Sequence, residues 1–444
     1  MLGSRRPLCA RAYAFAAGLP AKTRMTSSDK TLAQVPSAIL CADWGKEAAK
    51  RAVYVADVAG RAVRRVPGRH WSLTGVLVEA DRWTSGGAVL VTFDAPLGVP
   101  QSYMEAWDKA SSGLAPTTFL DLLRRTAVMP DFFEATSAPA SWRLERPFFA
   151  VPPVAGGRSA YEHAAESLGV TIYRQIDRQT SANSLFIKSG IPGSVGSATC
   201  ALWRELAELL TEERTFAVWP FEGDLCPLLA TSAVVIGEIY PRAAYATALQ
   251  SAPPALRPRL SVAKTKPDVR LRAINSLQDA EWVRSLGVTL EDLVDAEGNE
   301  DDFDACFTAA ALLRCVLERS PIELVADRAA PAEGGMLGTG SINLDLPERS
   351  FGSPQQAWSP LIARGASRGA VPARRAPGGV PSREASPRTY SCPIPGCGKM
   401  YRGSRGGWDS HVASLRIHPS WHPELQDEAD RKQTYRSEFP DFFR

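Results

Sequence analysis

What this chain of 444 residues lacks narrows what it can be. No apolar run approaches the roughly 20 residues that a helical membrane span needs, so no membrane partner is expected. Charge of one sign is missing too. With 51 basic and 48 acidic residues the net charge is +3, too small to mark a nucleic-acid binder by itself. Of the eight cysteines, only Cys392 and Cys397 are close together; the others are scattered in apolar or helical contexts, as buried free thiols are. This excludes a disulfide framework and predicts a reducing, cytoplasmic setting. What remains is an ordinary globular composition, 45% hydrophobic and 22% charged, long enough for two or three domains.

The first 28 residues hold no Asp or Glu but carry Arg5, Arg6, Arg11, Lys22 and Arg24. That is the pattern of an organelle transit peptide, or of a chain whose start lies at Met25. The second reading is preferred, and residues 1–35 are set aside from the fold either way. The folded part, residues 36–345, opens with three strand-like runs: Ala38–Asp43, Arg51–Ala56 and Trp71–Val78. Their short connections predict an antiparallel meander. A fourth run, Ala88–Phe93, stops at Asp94, with Pro96, Gly98 and Pro100 following at once. Residues 101–215 read as helical and irregular. A fifth strand, Ser232–Pro241, reads as buried on both faces. The spacing of Phe303, Phe307, Ala310, Leu313 and Leu317 predicts a helix from Asp302 to about Glu318 with one apolar face. Residues 346–389 alternate Pro, Gly and Ser with arginines, and Glu384 is the only acid between 351 and 390, which describes a flexible basic linker. Residues 390–444 form a compact terminal module.

The acids fall at suggestive places. Asp43 ends the first strand, Asp94 the fourth and Glu238 the fifth. Asp301 and Asp304, three apart at the start of a helix, share a face. Each has an ordinary explanation: turn residues for Asp43 and Asp94, dipole-favoured N-terminal acids for Asp301 and Asp304. Together they are the hard oxygen ligands that Mg²⁺ or Mn²⁺ prefers. Two such ions about 4 Å apart activate water and stabilise the leaving oxygen in phosphodiester cleavage. Lys264, Lys266, Arg270 and Arg272 read as a solvated charged face ahead of a phosphate clamp. The aromatics of Trp219–Glu222 read as core, and His70 and His163 as structural.

Several pieces resemble the predicted RNase H-like nucleases known as domain-of-unknown-function family 429. They are Ala42-Asp43-Trp44-Gly45, Phe93-Asp94-Ala95-Pro96-Leu97-Gly98, Glu238-Ile239-Tyr240-Pro241 and the stretch Asp301 through Ala311. Smaller pieces agree: Arg174 with Asp177, Val195-Gly196-Ser197 and Glu333-Gly334. Asp301-x-x-Asp304-Ala305 is also similar to the last helix of Holliday-junction resolvases. The resemblance covers roughly residues 37–345. It implies an α/β fold, a mixed sheet flanked by helices, here with helical insertions. The chain departs from the family where Glu300 and Asp301 stand in place of a histidine before the helix acids, and the detailed ligand set is open at that point.

In the terminal module, Cys392-x4-Cys397 is followed after thirteen residues by His411-x6-His418, and three of the five histidines lie here. This resembles a C2H2 zinc finger, with one-residue departures in the loop and in the His spacing. Tyr390, Tyr401 and Trp408 take the positions that pack such a finger. Structural Zn²⁺ is expected on Cys392, Cys397, His411 and His418, with His422 as an alternative fourth ligand. A segment this small needs a staple to fold. The module and the linker arginines make nucleic acid, DNA or RNA, an expected partner, and a protein partner of the module is the other reading. The leading expectation is a metal-dependent phosphodiesterase acting on nucleic acid. The alternatives are a non-catalytic nucleic-acid binder, or an actin-fold phosphotransferase, for which a second Gly-rich phosphate loop and an adenosine motif are missing.

Overall fold

The computed structural model describes residues 34–352 except 112–114, 155, 192, 211–213 and 328, and then 389–392, 394, 397, 400–402, 418, 421–424 and 428–438. The chain divides into two compact units on either side of Ala357.

Among the described residues, the central sheet of the first unit has seven strands: β1 (Ala38–Asp43), β2 (Ala52–Asp57), β3 (Ala62–Arg65), β4 (Val89–Phe93), β5 (Phe216–Val218), β6 (Val234–Glu238) and β7 (Thr289–Leu290). The helices that matter for the site are α1 (Leu73–Asp81), α2 (Gln175–Thr180), α3 (Gly196–Leu209), α4 (Pro241–Leu249), α5 (Pro267–Gln278) and α6 (Glu300–Leu317). The sheet order is β7-β3-β2-β1-β4-β6-β5. β1, β2 and β3 form an antiparallel meander, whereas β4 lies parallel to β1 and β6 parallel to β4. The fold is therefore α/β with a mixed central sheet flanked by helices.

Both faces of the sheet are buried, and strand periodicity sorts the side chains. Ile39, Cys41, Leu90 and Val235 pack on one side with α4 and α6. Ala38, Leu40, Val89, Val91, Phe93 and Ile236 pack on the other with α1, α3 and the irregular segments between residues 101 and 210. The continuous β-branched runs follow from this, since a strand covered twice has no polar face to alternate.

Three sequence expectations are corrected. The third strand is Ala62–Arg65, and the run Trp71–Val78 leads into α1 and supplies its first six residues. The Ser72 side chain caps that helix by accepting from Gly75 N at 3.1 Å, and Leu73, Val76 and Ala80 are buried at helical spacing while Val78 is exposed. A strand not expected, β5, adds an edge beside β6, between the region read as helical and irregular and the fifth expected strand. Finally, α6 has no single apolar face: every residue from Asp302 to Val316 is buried. It lies against β1, β2 and β3 and against α4. Small residues make that fit possible: Ala309, Ala310 and Ala311 in α6 meet an alanine-rich α4 in one cluster.

The unit continues past 345. Arg349–Ser350 pairs in parallel with Leu260–Ser261, and Phe351 N donates to Ser261 O at 2.8 Å. Most of the basic linker, residues 353–388, lies outside the described residues. In the second unit, Thr389–Ser391 and Met400–Arg402 form an antiparallel pair, and a helix spans Glu428–Glu438. No helix among the described residues is long and apolar enough to cross a membrane.

Candidate metal centre

β1 and β4 are parallel neighbours with Ala42 opposite Phe93, so Asp43 and Asp94 leave the sheet side by side at its C-terminal edge. Asp94 N donates to Ala42 O at 3.1 Å, which fixes the second acid against the first strand. Asp304, in the second turn of α6, brings a third carboxylate from the helix covering that edge. Oxygen atoms of Asp43, Asp94 and Asp304 all lie within 4.8 Å of one another. Asp301, one turn earlier, shares a hydrogen bond with Asp43. Asp302 faces elsewhere, accepting from Arg65 Nε at 2.6 Å.

Among the described residues, two other side chains meet these acids directly. Tyr245 of α4 donates its hydroxyl to Asp304 Oδ1, and Lys264 Nζ meets Asp304 Oδ2. The result is a set of acids held reluctant to ionise. Desolvation, then Asp304, pushes Asp94 up to about 7, against the pull of Lys264. Desolvation, then Asp304 and Asp94, raises Asp43 well above the usual carboxylate range. Desolvation raises Asp304 and Asp301 as well, with Lys264 opposing in both. Burial raises the Tyr245 hydroxyl, and Asp304 adds to it. Desolvation alone would lower the Lys264 ammonium, but Asp304 and Asp43 outweigh it and the net shift is upward.

The donor chemistry suits a divalent cation: hard carboxylate oxygens converge from three elements, and one ammonium with one phenol leaves them under-compensated. Asp43, Asp94 and Asp304 would hold the ion.

Glu238 ends β6 as expected but is not among the converging acids. It is buried against Arg174, which reaches its two carboxylate oxygens at 2.7 Å through Nη1 and Nη2. Arg174, fully buried, also donates to Asp177 Oδ1 at 2.7 Å and to Leu97 O at 2.9 Å. Desolvation would lower its guanidinium and raises Glu238; the ion pair opposes both, leaving Arg174 raised and Glu238 still above its ordinary value. Glu238 Oε2 also accepts from Leu97 N at 2.7 Å, so this ion network grips the Asp94–Gly98 turn by its backbone. Trp203 of α3 adds a bond to Pro96 O at 2.8 Å. The turn is sealed by Glu333-Gly334. Glu333 accepts from Gln175 N at 2.6 Å, and Gly98 (φ +113°) and Gly334 (φ +78°) let the two segments touch. A Cβ on Gly98 would stand 2.7 Å from Ala332 O, and one on Gly334 2.3 Å from Leu97 O.

A second arginine holds the segment that follows Asp43. Arg51 lies 3.7 Å over the Trp44 ring, donates to Gly45 O at 3.0 Å and pairs with Glu205 at 2.8 Å. The basic cluster divides: Arg272 is exposed on Asp268 at 2.9 Å, whereas Lys264 and Arg270 belong to the site. Tyr245, Arg51 and the positioning role of Arg270 had no sequence signal. Trp219 is core as read, and His70 and His163 are exposed.

In the second unit, Cys392, Cys397 and His418 offer ligand atoms within 4.8 Å of one another, with Cys392 Sγ 3.8 Å from His418 Nε2. Two soft thiols with an imidazole fit Zn²⁺. Desolvation and the nearby Cys397 push the Cys392 thiol up to about 11. Desolvation and Arg431 lower His418, which favours the neutral, ligating imidazole. His411 lies outside the described residues. His422 is engaged elsewhere: Nδ1 meets Glu424 and Nε2 meets Glu438, each at 2.6 Å, so both ring nitrogens are taken. No family model, curated protein or solved structure matches this chain.

Proposed function

We propose that the first unit is a divalent-metal-dependent phosphodiesterase of RNase H-like type acting on nucleic acid. One observation carries this reading: Asp43, Asp94 and Asp304, from two adjacent parallel strands and a covering helix, converge to within 4.8 Å. The strand order supports the same fold type, an antiparallel β3-β2-β1 meander joined by β4 and β6 parallel to β1. Mg²⁺ or Mn²⁺ bound there would activate the attacking water and stabilise the leaving oxygen. The chain's own part is to hold the ligands. Arg51 and Arg174 fix the two acid-bearing turns, Tyr245 orients Asp304, and Asp301 accepts a hydrogen bond from Asp43.

For the second unit we propose a structural Zn²⁺ on Cys392, Cys397 and His418, with His411 as the fourth ligand. The module and the linker arginines would tether DNA or RNA.

The decisive experiment incubates the full chain with Mn²⁺ and labelled single-stranded DNA, duplex DNA, RNA and RNA–DNA hybrid, beside an Asp94→Asn control. Cleavage by the wild type alone supports the reading. Binding without cleavage on every substrate favours the non-catalytic binder, a reading that gains from Lys264 already sitting on Asp304.

A further inference from the structure

We propose that Lys264 is a built-in counter-cation of the acid cluster, which a divalent ion must displace from Asp304 before the site is loaded. This rests on the metal-binding reading above and adds to it an exchange: one ammonium leaves for each ion that takes its place.

The position of Lys264 is constructed. Its main chain lies in the short turn before α5, where Lys264 N donates to Val262 O at 2.7 Å. Its carbonyl accepts from Arg270 Nη1 at 2.5 Å, and the same buried guanidinium donates to Glu297 O at 2.9 Å and Gly298 O at 3.2 Å. Glu297 and Gly298 directly precede Asn299, whose side chain caps α6 by accepting from Asp301 N at 3.0 Å. Arg270 thus ties the root of Lys264 to the start of the helix that carries Asp301 and Asp304. The ammonium is set against the acids by a backbone fixed to their own helix.

The tip is different. The Lys264 side chain is 33% exposed while that of Asp304 is 1% exposed, so the cation has a way out to solvent and the acid does not. A four-carbon stem lets the ammonium leave without moving the fixed backbone. Four carboxylates (Asp43, Asp94, Asp301 and Asp304) interact with this single ammonium. A monovalent, mobile cation on a buried acid is a placeholder: it limits repulsion in the metal-free protein and yields to a charge of two. Once displaced, the ammonium stays beside the site, where a phosphodiester oxygen is its natural partner.

The test measures Mn²⁺ binding to the full chain by electron paramagnetic resonance, for the wild type and for Lys264→Gln, each pre-incubated with Zn²⁺ and freed of excess. Separately, acetylation of Lys264 by an amine-reactive ester is followed in the wild type by peptide mass spectrometry, with and without Mn²⁺. Removing the competing charge should tighten Mn²⁺ binding about tenfold or more, and Mn²⁺ should increase acetylation of Lys264. Binding by Lys264→Gln alone would be the same result in its strongest form. If the wild type binds Mn²⁺ and Lys264→Gln binds it equally or more weakly, or if Mn²⁺ leaves acetylation unchanged, the exchange is overturned while the metal reading stands. If neither protein binds Mn²⁺, the metal reading falls and the exchange falls with it. Should Lys264→Gln fail to fold, the acetylation result decides alone.

Discussion

Two groups of acids meet at the same edge of the sheet, and they are treated in opposite ways. Glu238 stands opposite Phe93 in the β4–β6 register, and Asp94 is the next residue along. Glu238 and Asp177 share a buried arginine with short, multiple hydrogen bonds. Asp94, Asp43 and Asp304 share one lysine, mostly through Asp304, and remain raised above their ordinary range. A buried acid with a matched partner is a structural element; a set of buried acids left short of positive charge is held ready for a cation from outside. Proximity at a strand end does not separate the two cases, whereas compensation does.

The largest effect should come from breaking the compensated group. Arg174→Met strands two buried carboxylates and releases the Asp94–Gly98 turn, so the first unit should lose about 3–5 kcal/mol in urea unfolding. A loss below about 1 kcal/mol would show that the network is not structural. Asp94→Asn should act with the opposite sign. Neutralising an acid surrounded by like charges should leave metal-free stability unchanged or raised by up to about 1 kcal/mol, while abolishing the Mn²⁺-induced rise in melting temperature. Marked destabilisation by Asp94→Asn would return Asp94 to an ordinary turn role.

Next in size is a pH effect. The folded state keeps a proton on Asp94 up to about 7, whereas the unfolded chain has released it at the ordinary carboxylate value. The folded state therefore binds more protons in that window, and metal-free stability should fall as pH rises through it, by at most about 1.4 kcal/mol per unit for this group. Mn²⁺, which needs the ionised acids, should stabilise more at the upper end of the window than at the lower. Urea midpoints across the window, with and without Mn²⁺, measure both slopes, and Asp94→Asn should flatten the first. The smallest effect on the core is expected from Cys392→Ser. It should remove bound zinc, read by elemental analysis, and leave the urea midpoint of the first unit in place. A shift there would mean that the stability of the two acid groups cannot be read independently of the zinc module.

Much of the site's location was legible because a buried strand that ends in Asp is conspicuous: apolar β-branched residues stop and a charge follows. Asp43 and Asp94 stand out that way, and Asp304 by its helical spacing from Asp301. What was not legible lies in pairings distant along the chain. Glu238 looked like another strand-end acid because Arg174 stands 64 residues away, and Lys264 looked like surface because Asp304 is 40 residues off. The helix at Trp71–Val78 was misread for a local reason: Leu73, Val76, Leu77 and Val78 are as apolar as a strand, and the Ser72 cap is a single hydroxyl.

The interlocked glycines have a consequence for the order in which the molecule is made. Gly98 and Gly334 meet only when the final part of the unit lies against its first third, and the nearby Gln101–Glu333 bond spans 232 residues. Contacts this distant carry the greatest loop-closure penalty and form late. On the ribosome, Asp43 and Asp94 emerge early, but the turn that aims Asp94 is unsealed until residue 334 is free of the tunnel. The acids are thus gathered by the completed fold, and under the proposed reading an ion would arrive as a guest of the finished protein rather than as the seed of its folding.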